Sequence, residues 1–107
     1  FGSITELDGL EPHDCFTVTE YMAIDHSGLT APGESWKAVE EGRITPDGDF
    51  PINPSGGLIG LGHPVGATGA RIMITLLYAL DRKKKNLGLA TLCGGGGVSM
   101  ACAIELG

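Results

Sequence analysis

The sequence predicts an α/β fold with the element order β-α-β-α-β-β and a mixed sheet. Helical patterns over 17–27 and 70–80 alternate with extended segments, and two strand-like segments, 87–93 and 98–105, end the chain. A length of 107 residues suits one domain, and a hydrophobic content of 42% excludes a disordered tail. We therefore expect a single domain over residues 1–107.

The first strand and the first helix are expected in the first quarter of the chain. Residues 3–12 predict a weak strand, in which aliphatic residues are spaced by acids. Thr17 and Glu20 form a T-x-x-E pattern, which predicts a capping box at the start of helix 17–27. Gly28 is suited to end that helix, because glycine adopts the left-handed conformation easily.

A long acidic loop, 29–50, follows this helix and contains several Pro and Gly residues. Within it, the segment from Trp36 to Glu41 predicts a short helix that Ser35 caps and Gly42 stops. Loops longer than about 12–15 residues are usually functional or flexible. We expect the Trp36 side chain to anchor this loop to the body of the domain.

The second half begins with an extended segment, 51–54, as the second strand, and a glycine-rich stretch, 57–69, leads into the second helix. Residues 70–80 are apolar on nearly every side, which predicts a buried helix and not a half-exposed one. Pro64 suits a first-turn position. In the final strand, larger apolar residues alternate with small ones, so we expect Cys102 in the core.

Composition excludes several classes of protein. A net charge of −6 argues against a nucleic-acid binder, whose affinity depends on cations placed against phosphates. The sequence has no apolar run near the roughly 18 residues that a membrane helix needs. Its first ten residues have no basic residue and do not suggest a signal peptide. Because the chain does not start with Met, we expect it to be a piece of a longer protein.

Three cysteines, Cys15, Cys93 and Cys102, make an odd number without a C-x-x-C pair. They do not suggest a disulfide framework or a zinc ribbon, and they favour a reducing, intracellular environment. Cys93 lies where a strand ends and four glycines begin, which leaves room for a substrate beside its thiol. It could be a nucleophile or an acid/base, or else a structural cysteine beside a tight hairpin. We expect Cys15 to be a packing residue.

The glycine-rich stretch 57–69 is the strongest local signal, because glycines before a helix can turn backbone amides toward an anion. Two nucleotide motifs fail here: the Walker loop would need Lys where His63 stands, and the Rossmann pattern would need a small residue where Val65 stands. A neutral His63 at a helix N-terminus could instead donate to a developing oxyanion. The alternative is a histidine that only caps the helix.

His13, at a strand end before a capped helix, is a third candidate polar group. His26 falls near the C-terminal end of its helix, where we expect a surface residue. His13, His63 and Cys93 would be enough ligands for a catalytic zinc ion. Their wide separation shows no metal-ligand spacing, so no metal is expected.

Three motifs resemble those of a known family. They are Asn53-Pro54-Ser55-Gly56-Gly57, then Gly62-His63-Pro64-Val65-Gly66-Ala67-Thr68-Gly69, and finally Cys93-Gly94-Gly95. In this order they resemble the C-terminal half of a thiolase, from about residue 4 to the end. The tetrad His13-Asp14-Cys15-Phe16 is similar to the branch related to sterol carrier protein thiolases, whereas most thiolases carry Asn-Glu-Ala-Phe there. The resemblance implies part of a layered thiolase fold, without the first strand and helix of that half.

The resemblance also implies a reaction: an acyl-CoA C-acyltransferase that cleaves or forms 3-ketoacyl-CoA by Claisen chemistry. Cys93 matches the second cysteine of the family, the general acid/base that moves the α-proton of a thioester. His63 matches the histidine that activates the nucleophilic cysteine and contributes to an oxyanion hole. Gly95 matches a glycine whose amide holds the other thioester oxygen, and Gly62 is expected to lie against substrate. His13 replaces an asparagine that fixes an oxyanion-hole water, and its imidazole could donate directly.

The same resemblance implies that this chain needs a partner. The nucleophilic cysteine belongs to the N-terminal half of a thiolase, so we expect the 107 residues alone to be inactive. Coenzyme A thioesters are the expected substrates, with no further cofactor, and the parent is expected to be a homodimer or larger. The missing strand is central in the family's sheet, so the strands here must pair differently or accept a strand from elsewhere. The parent is expected in the cytoplasm of a bacterium, or in a peroxisome or mitochondrion of a eukaryote.

Two other functions stay open at this point. One is a non-catalytic, thiolase-like subunit that binds coenzyme A thioesters or serves as a scaffold, although a scaffold needs neither Cys93 nor His63. The other is a general anion-binding module built on residues 57–69. The basic run from Arg82 to Lys85 is expected to form a solvated turn at a helix end, or alternatively to contact a CoA phosphate.

Overall fold

A computed structural model describes residues 4–107. Its helices and strands follow one another as β1 (Gly9–Glu11), α1 (Thr17–Ser27), α2 (Ser35–Glu40), α3 (Gly57–Leu61), α4 (Thr68–Lys83), β2 (Leu87–Cys93) and β3 (Ser99–Glu105). Short 3-10 turns lie at Ile4–Glu6 and Gly95–Gly97. Residues 1–3 of the expected domain lie outside the described part of the chain.

The three strands form one mixed sheet in the order β1-β2-β3. β1 runs parallel to β2, with Gly9 opposite Gly88 and Glu11 opposite Ala90. β2 and β3 are antiparallel over their whole length, from Leu87 opposite Glu105 to Cys93 opposite Ser99. The predicted α/β class and mixed sheet are confirmed, and β1 lies directly beside β2.

Two of the predicted strands are shorter in the structure. The segment 3–12, whose first residue is outside the described part, contains only the three residues of β1 as strand. The predicted strand 51–54 is reduced to one parallel bridge between Ile52 and Leu10. Prolines at both ends of that segment cannot donate to a ladder, and Asn53 has a φ of 48°, which turns the chain away from the sheet.

Helix α1 has its predicted bounds, but its start differs from the prediction. Phe16 is the N-cap, and the Thr19 hydroxyl bonds both to the amide of Phe16, at 3.3 Å, and to its carbonyl. Glu20 is not part of a capping box: its carboxylate accepts a hydrogen bond from Asn53 Nδ2 at 3.0 Å. Gly28 ends the helix with a φ of 69°, as predicted.

The predicted loop 29–50 contains α2, which starts one residue earlier than expected. Ser35 is its first residue and not its cap, and Gly42 follows the helix end with a φ of 69°. Trp36 does not anchor the loop, since 48% of it is exposed. The loop is instead attached through Ala38 and Phe50, which are buried in the core. The segment is therefore fixed by Ala38, which is smaller than tryptophan, and by Phe50, which comes later in the loop.

Two apolar clusters hold the layers together. The cluster under α1 and α2 consists of Leu7, Leu10, Ile24, Ala38, Phe50 and Ile52. The cluster between α4 and the sheet consists of Ile72, Leu76, Leu80 and Ala90. Leu89 packs against the first cluster and Leu92 against the second, because neighbouring positions of a strand face opposite sides. The sheet is therefore covered by helices on both faces.

Helix α4 is not buried all round, contrary to the prediction. Ile72, Leu76 and Leu80 pack on the sheet, while 52% of Ile74 and 66% of Tyr78 are exposed half a turn away. Pro64 lies before the helix and not in its first turn, although its carbonyl accepts the amides of Ala67 and Thr68. Among the described residues, no helix is both long and apolar enough to span a membrane.

Asp8 joins the start of β1 to the start of β2 through its carboxylate. This carboxylate accepts the amides of Asn86 at 3.0 Å and Leu87 at 3.1 Å and pairs with Lys85. Burial alone would raise the pKa of Asp8, but the hydrogen bonds from Leu87, Asn86 and Lys85 outweigh it and hold the pKa below its usual value. The charged form therefore stabilises the fold.

We predict that Asp8→Asn lowers the free energy of unfolding by about 1–2 kcal/mol near neutral pH, because two amides lose a charged acceptor. A lowered carboxyl pKa contributes stability above about pH 4 and loses it as the pH falls through the folded-state pKa, so the difference from wild type should shrink toward about pH 2. Urea denaturation at several pH values measures this.

Asp81→Asn is the control for Asp8→Asn, because Asp81 pairs with Lys84 on the surface with 73% of its side chain exposed. We expect this substitution to cost less than about 0.5 kcal/mol. If both variants lose the same stability, or if the Asp8 loss does not depend on pH, the proposed role of the Asp8 charge is wrong.

Candidate active site

The site forms at the edge of the sheet where the parallel strands β1 and β2 end. His13 follows β1 by two residues, and Cys93 is the last residue of β2. Because parallel strands end at the same edge, the topology brings these two side chains to one side of the domain. His63 reaches the same region from the loop between α3 and α4.

The rings of His13 and His63 are in contact. Their centroids lie 5.3 Å apart and their planes meet at 81°, so one ring presents its edge to the face of the other. Burial lowers the pKa of His13, the neighbouring His63 lowers it further, and Asp14 opposes the shift. His13 is therefore neutral near pH 7. Its Nδ1 atom is buried and has no hydrogen-bond partner among the described residues.

A buried hydroxyl fixes the His63 ring. Nδ1 of His63 lies 2.7 Å from Oγ1 of Thr68, which is fully buried at the start of α4. The same hydroxyl donates to the carbonyl of Pro64 at 3.0 Å. Since a hydroxyl has one proton, Nδ1 of His63 must then be the donor, which leaves Nε2 as an acceptor.

Cys93 is exposed and shares a hollow of about 340 Å³ with His13. Met22, Ala23 and His26 of α1 line the opposite wall. The Cys93 thiol makes a weak contact of 3.5 Å with the carbonyl of Gly94. The structure therefore links His13 to both other candidates, to His63 by ring contact and to Cys93 by the hollow.

The two candidate glycines lie near these side chains. Gly95 begins the short turn after β2, and a Cβ built on it would meet no atom within 4 Å among the described residues. Gly62 ends α3 with a φ of 84° and directly precedes His63. A Cβ built on Gly62 would likewise meet no atom within 4 Å among the described residues, so both glycines leave open space.

Sequence reasoning missed Asp14, which fixes α3 from a distant part of the chain. Its carboxylate, in a residue only 4% exposed, accepts the amide of Leu58 at 2.6 Å. A Cβ on Gly57 would lie 2.1 Å from Asp14 Oδ2, and Gly57 has a φ of 64°. The tetrad after β1 and the loop that carries His63 are therefore tied together through Asp14.

Glu11 and Ser55 form a second link that sequence reasoning missed. Glu11 is fully buried, and its two carboxylate oxygens accept the amide and the hydroxyl of Ser55, each at 2.8 Å. Burial raises the pKa of Glu11, and the Ser55 hydrogen bonds and the charge of Arg71 oppose this shift. No local sequence pattern joins residues 44 positions apart, so only the fold shows this pair.

The expectations for Cys15 and Cys102 are wrong, whereas the expectation for His26 is confirmed. Cys15 is exposed, so the packing role expected for it is wrong. Cys102 is half-buried in an edge strand and not in the core, because β3 has no neighbour on its outer side within the described sheet. His26 is exposed, as expected, although it lines the hollow. Residues 4–107 contain no group of three His, Cys, Asp or Glu side chains placed to hold a metal ion.

The fold and the site define an α/β domain that carries an imidazole pair and a thiol at one edge of its sheet. Comparison with known proteins identifies its family. Residues 3–106 match the family model described as the thiolase C-terminal domain. The chain therefore belongs to the thiolase family, and the predicted resemblance is confirmed.

The relatives that this chain matches include acetyl-CoA acetyltransferases and sterol carrier protein 2. An acetyl-CoA acetyltransferase of Synechocystis is 57% identical over 61% of this chain and 16% of its own length. An acetyl-CoA acetyltransferase of Methanothermobacter thermautotrophicus is 47% identical over 60% of this chain and 17% of its own. Sterol carrier protein 2 of Bos taurus is 43% identical over 71% of this chain and 14% of its own. The chain thus spans about a sixth of the relatives that it matches.

We predict that Gly57→Ala lowers the free energy of unfolding by several kcal/mol, because the new methyl group would collide with the Asp14 carboxylate. Gly28→Ala is the matched control, since its φ of 69° carries the same backbone strain but no atom lies within 4 Å of a Cβ there among the described residues. We expect Gly28→Ala to cost about 1–2 kcal/mol. Equal losses in chemical denaturation would show that the Asp14 contact does not constrain Gly57.

Proposed function

We propose that this chain is the C-terminal part of an acyl-CoA C-acyltransferase that cleaves or forms 3-ketoacyl-CoA, with coenzyme A thioesters as substrates. The observation that carries the proposal is the placement of His13, which contacts His63 and shares a hollow with Cys93, in a chain of the thiolase family. In this function Cys93 is the general acid/base, and the two histidines stabilise the thioester oxygen.

His63 has the protonation that activation of a nucleophile requires. With Nδ1 donating to Thr68, the unprotonated Nε2 can accept a proton from the thiol of the nucleophilic cysteine. The ring then becomes an imidazolium, and its Nε2–H can donate to the oxyanion that forms on the substrate. One side chain thus first accepts a proton and then donates a hydrogen bond.

His13 supplies the second donor. A buried, unpartnered acceptor nitrogen costs less than a buried, unpartnered N–H group, so the proton of the neutral ring belongs on Nε2 and not on Nδ1. This N–H group can donate directly to a thioester oxygen, without the water that an asparagine would fix. Because burial lowers the pKa of His13, this role is available near neutral pH.

Cys93 is the group that we propose to move the proton at the α-carbon of the other thioester. Its thiol is exposed at a strand end beside glycines that leave space for a substrate. The amide of Gly95 would hold the oxygen of the second thioester, and Gly62 would let the substrate approach the backbone beside His63. We propose these two glycines as substrate-binding residues.

A second part of the thiolase must complete the site. The nucleophilic cysteine is expected there, and exposed apolar side chains leave a surface for that part to cover: 63% of Leu61 and 85% of Val65, which flank His63 in the sequence, are exposed, as is 52% of Ile74 on α4. We propose that the N-terminal half of the thiolase packs on this surface, in a homodimeric or larger parent.

We also propose an intracellular location for the parent, in the cytoplasm of a bacterium or in a eukaryotic peroxisome or mitochondrion, because this location fits coenzyme A chemistry.

We predict that Cys93→Ala in the full-length protein lowers kcat/KM for 3-ketoacyl-CoA thiolysis by about 100-fold or more, as expected for loss of a general acid/base. Cys102→Ala is the matched control, because Cys102 lies in β3 on the opposite face of the sheet from Cys93, and it should leave the rate nearly unchanged. The 107-residue chain alone should show no turnover.

Two results would contradict this function. Thiolysis that is unchanged in Cys93→Ala would favour the scaffold or CoA-binding alternative, because such a subunit does not need the thiol. Turnover by the isolated chain would show that the nucleophile lies within these residues.

A further inference from the structure

The Arg71 side chain connects the two ends of α3 through two hydrogen bonds. Arg71 belongs to the first part of α4, and its Nη2 atom donates to the carbonyl of Gly57, the first residue of α3, at 3.2 Å. The same atom donates to the carbonyl of Gly62, the residue that ends α3, also at 3.2 Å. The second bond holds the peptide group that joins Gly62 to His63.

Charged groups lie near this guanidinium, which belongs to a half-buried residue. Nε and Nη1 of Arg71 are buried without a hydrogen-bond partner among the described residues. The carboxylate of the fully buried Glu11 interacts electrostatically with Arg71, and it also holds Ser55 just before α3 through two hydrogen bonds of 2.8 Å.

We propose that Arg71 is a positioning residue for His63, and that Glu11 supports it by holding Ser55 just before α3. Thr68 fixes the imidazole of His63 through Nδ1, and Arg71 fixes the backbone on which that imidazole is carried. These residues lie in the first turn of α4, so one rigid element holds both the ring and its peptide. Arg71 itself touches no reacting group.

The geometry explains why lysine cannot replace this arginine fully. Both hydrogen bonds come from Nη2, at the end of the arginine side chain, while Nε and Nη1 are buried without a partner among the described residues. The ammonium nitrogen of a lysine lies one bond nearer to the backbone than Nη2, so it falls short of both carbonyls, and it lacks the planar fork of donors. Arg71→Lys therefore keeps the charge and loses the geometry, which makes it the conservative variant of choice.

The first test measures the ring of His63 and needs no activity. In the full-length protein, a long-range 1H–15N spectrum should show two well-separated ring nitrogens for wild-type His63, as expected of one fixed tautomer. Arg71→Met should bring the two signals together as the tautomers average, and Arg71→Lys should do so in part. Glu11→Gln should shift the signals in the same direction, because it weakens the hold on Ser55 just before α3.

The controls separate positioning from general destabilisation. Arg43→Met removes a second arginine, one that donates to Asp49 and to the carbonyl of Leu29, away from the site. It should lower the melting temperature and leave the His63 signals apart. Glu20→Gln is the matched control for Glu11→Gln, and the exposed His26 is an internal reference in every spectrum.

The second test depends on the proposed function. For 3-ketoacyl-CoA thiolysis, Arg71→Lys should lower kcat by about tenfold and Arg71→Met by about 100-fold, with KM nearly unchanged, since misplacement by about 1 Å costs rates of this order. If the wild-type protein shows no thiolysis, the proposed function fails and the spectra still decide the role of Arg71.

A folded Arg71 variant whose His63 signals stay as far apart as in wild type would overturn the proposal. If Arg71→Met does not fold, Arg71→Lys decides in the same way. Convergence of the signals in Arg43→Met as well would also overturn it, because any loss of stability would then move His63.

Discussion

The contact between the Asp14 carboxylate and the Leu58 amide is the interaction on which the candidate site depends. It joins the tetrad after β1 to the start of α3, two segments 44 residues apart in the chain. Helix α3 has only five residues, and a helix so short is not stable alone. Its position must therefore come from side chains outside it, and Asp14 is the one that also carries His13 as its neighbour. The distance between the two histidines depends on this contact together with those of Thr68 and Arg71, which hold the segment that carries His63.

The other polar contacts of α3 complete the same constraint. Glu11 holds Ser55 just before the helix, and Arg71 holds the carbonyls at its two ends. The contacts of Glu11 with Ser55 are buried, so they are strong in a low dielectric and costly to lose, whereas those of Arg71 lie nearer to the surface. Together these charged side chains hold in place a glycine-rich segment that has few side chains of its own to pack. The glycines keep space for a substrate, and the charged side chains supply the rigidity that the glycines lack.

The sequence predicted the elements whose signals are local and missed the contacts that are not. The strand-like segment 87–93 has the bounds of β2, alternation placed β3 within one residue of its observed start, and Gly28 placed the end of α1, because these signals are properties of a few neighbouring residues. The T-x-x-E pattern failed because Glu20 binds Asn53 instead, 33 residues away. For the same reason His63 and Cys93 could be proposed from their glycine surroundings, whereas Asp14, Glu11 and Arg71 could not. Their roles depend on partners that only the tertiary fold brings close.

The pairing of the strands and the shape of the site are two aspects of one arrangement. Adjacent strands lie about 4.8 Å apart, so the direct pairing of β1 with β2 sets a short distance between the strand ends that carry His13 and Cys93. Helix α4 packs on β2 through a cluster that includes Ala90, and the first turn of the same helix carries Thr68 and Arg71, which hold His63. A strand placed between β1 and β2 would therefore change both the hollow shared by His13 and Cys93 and the contact between the two histidines.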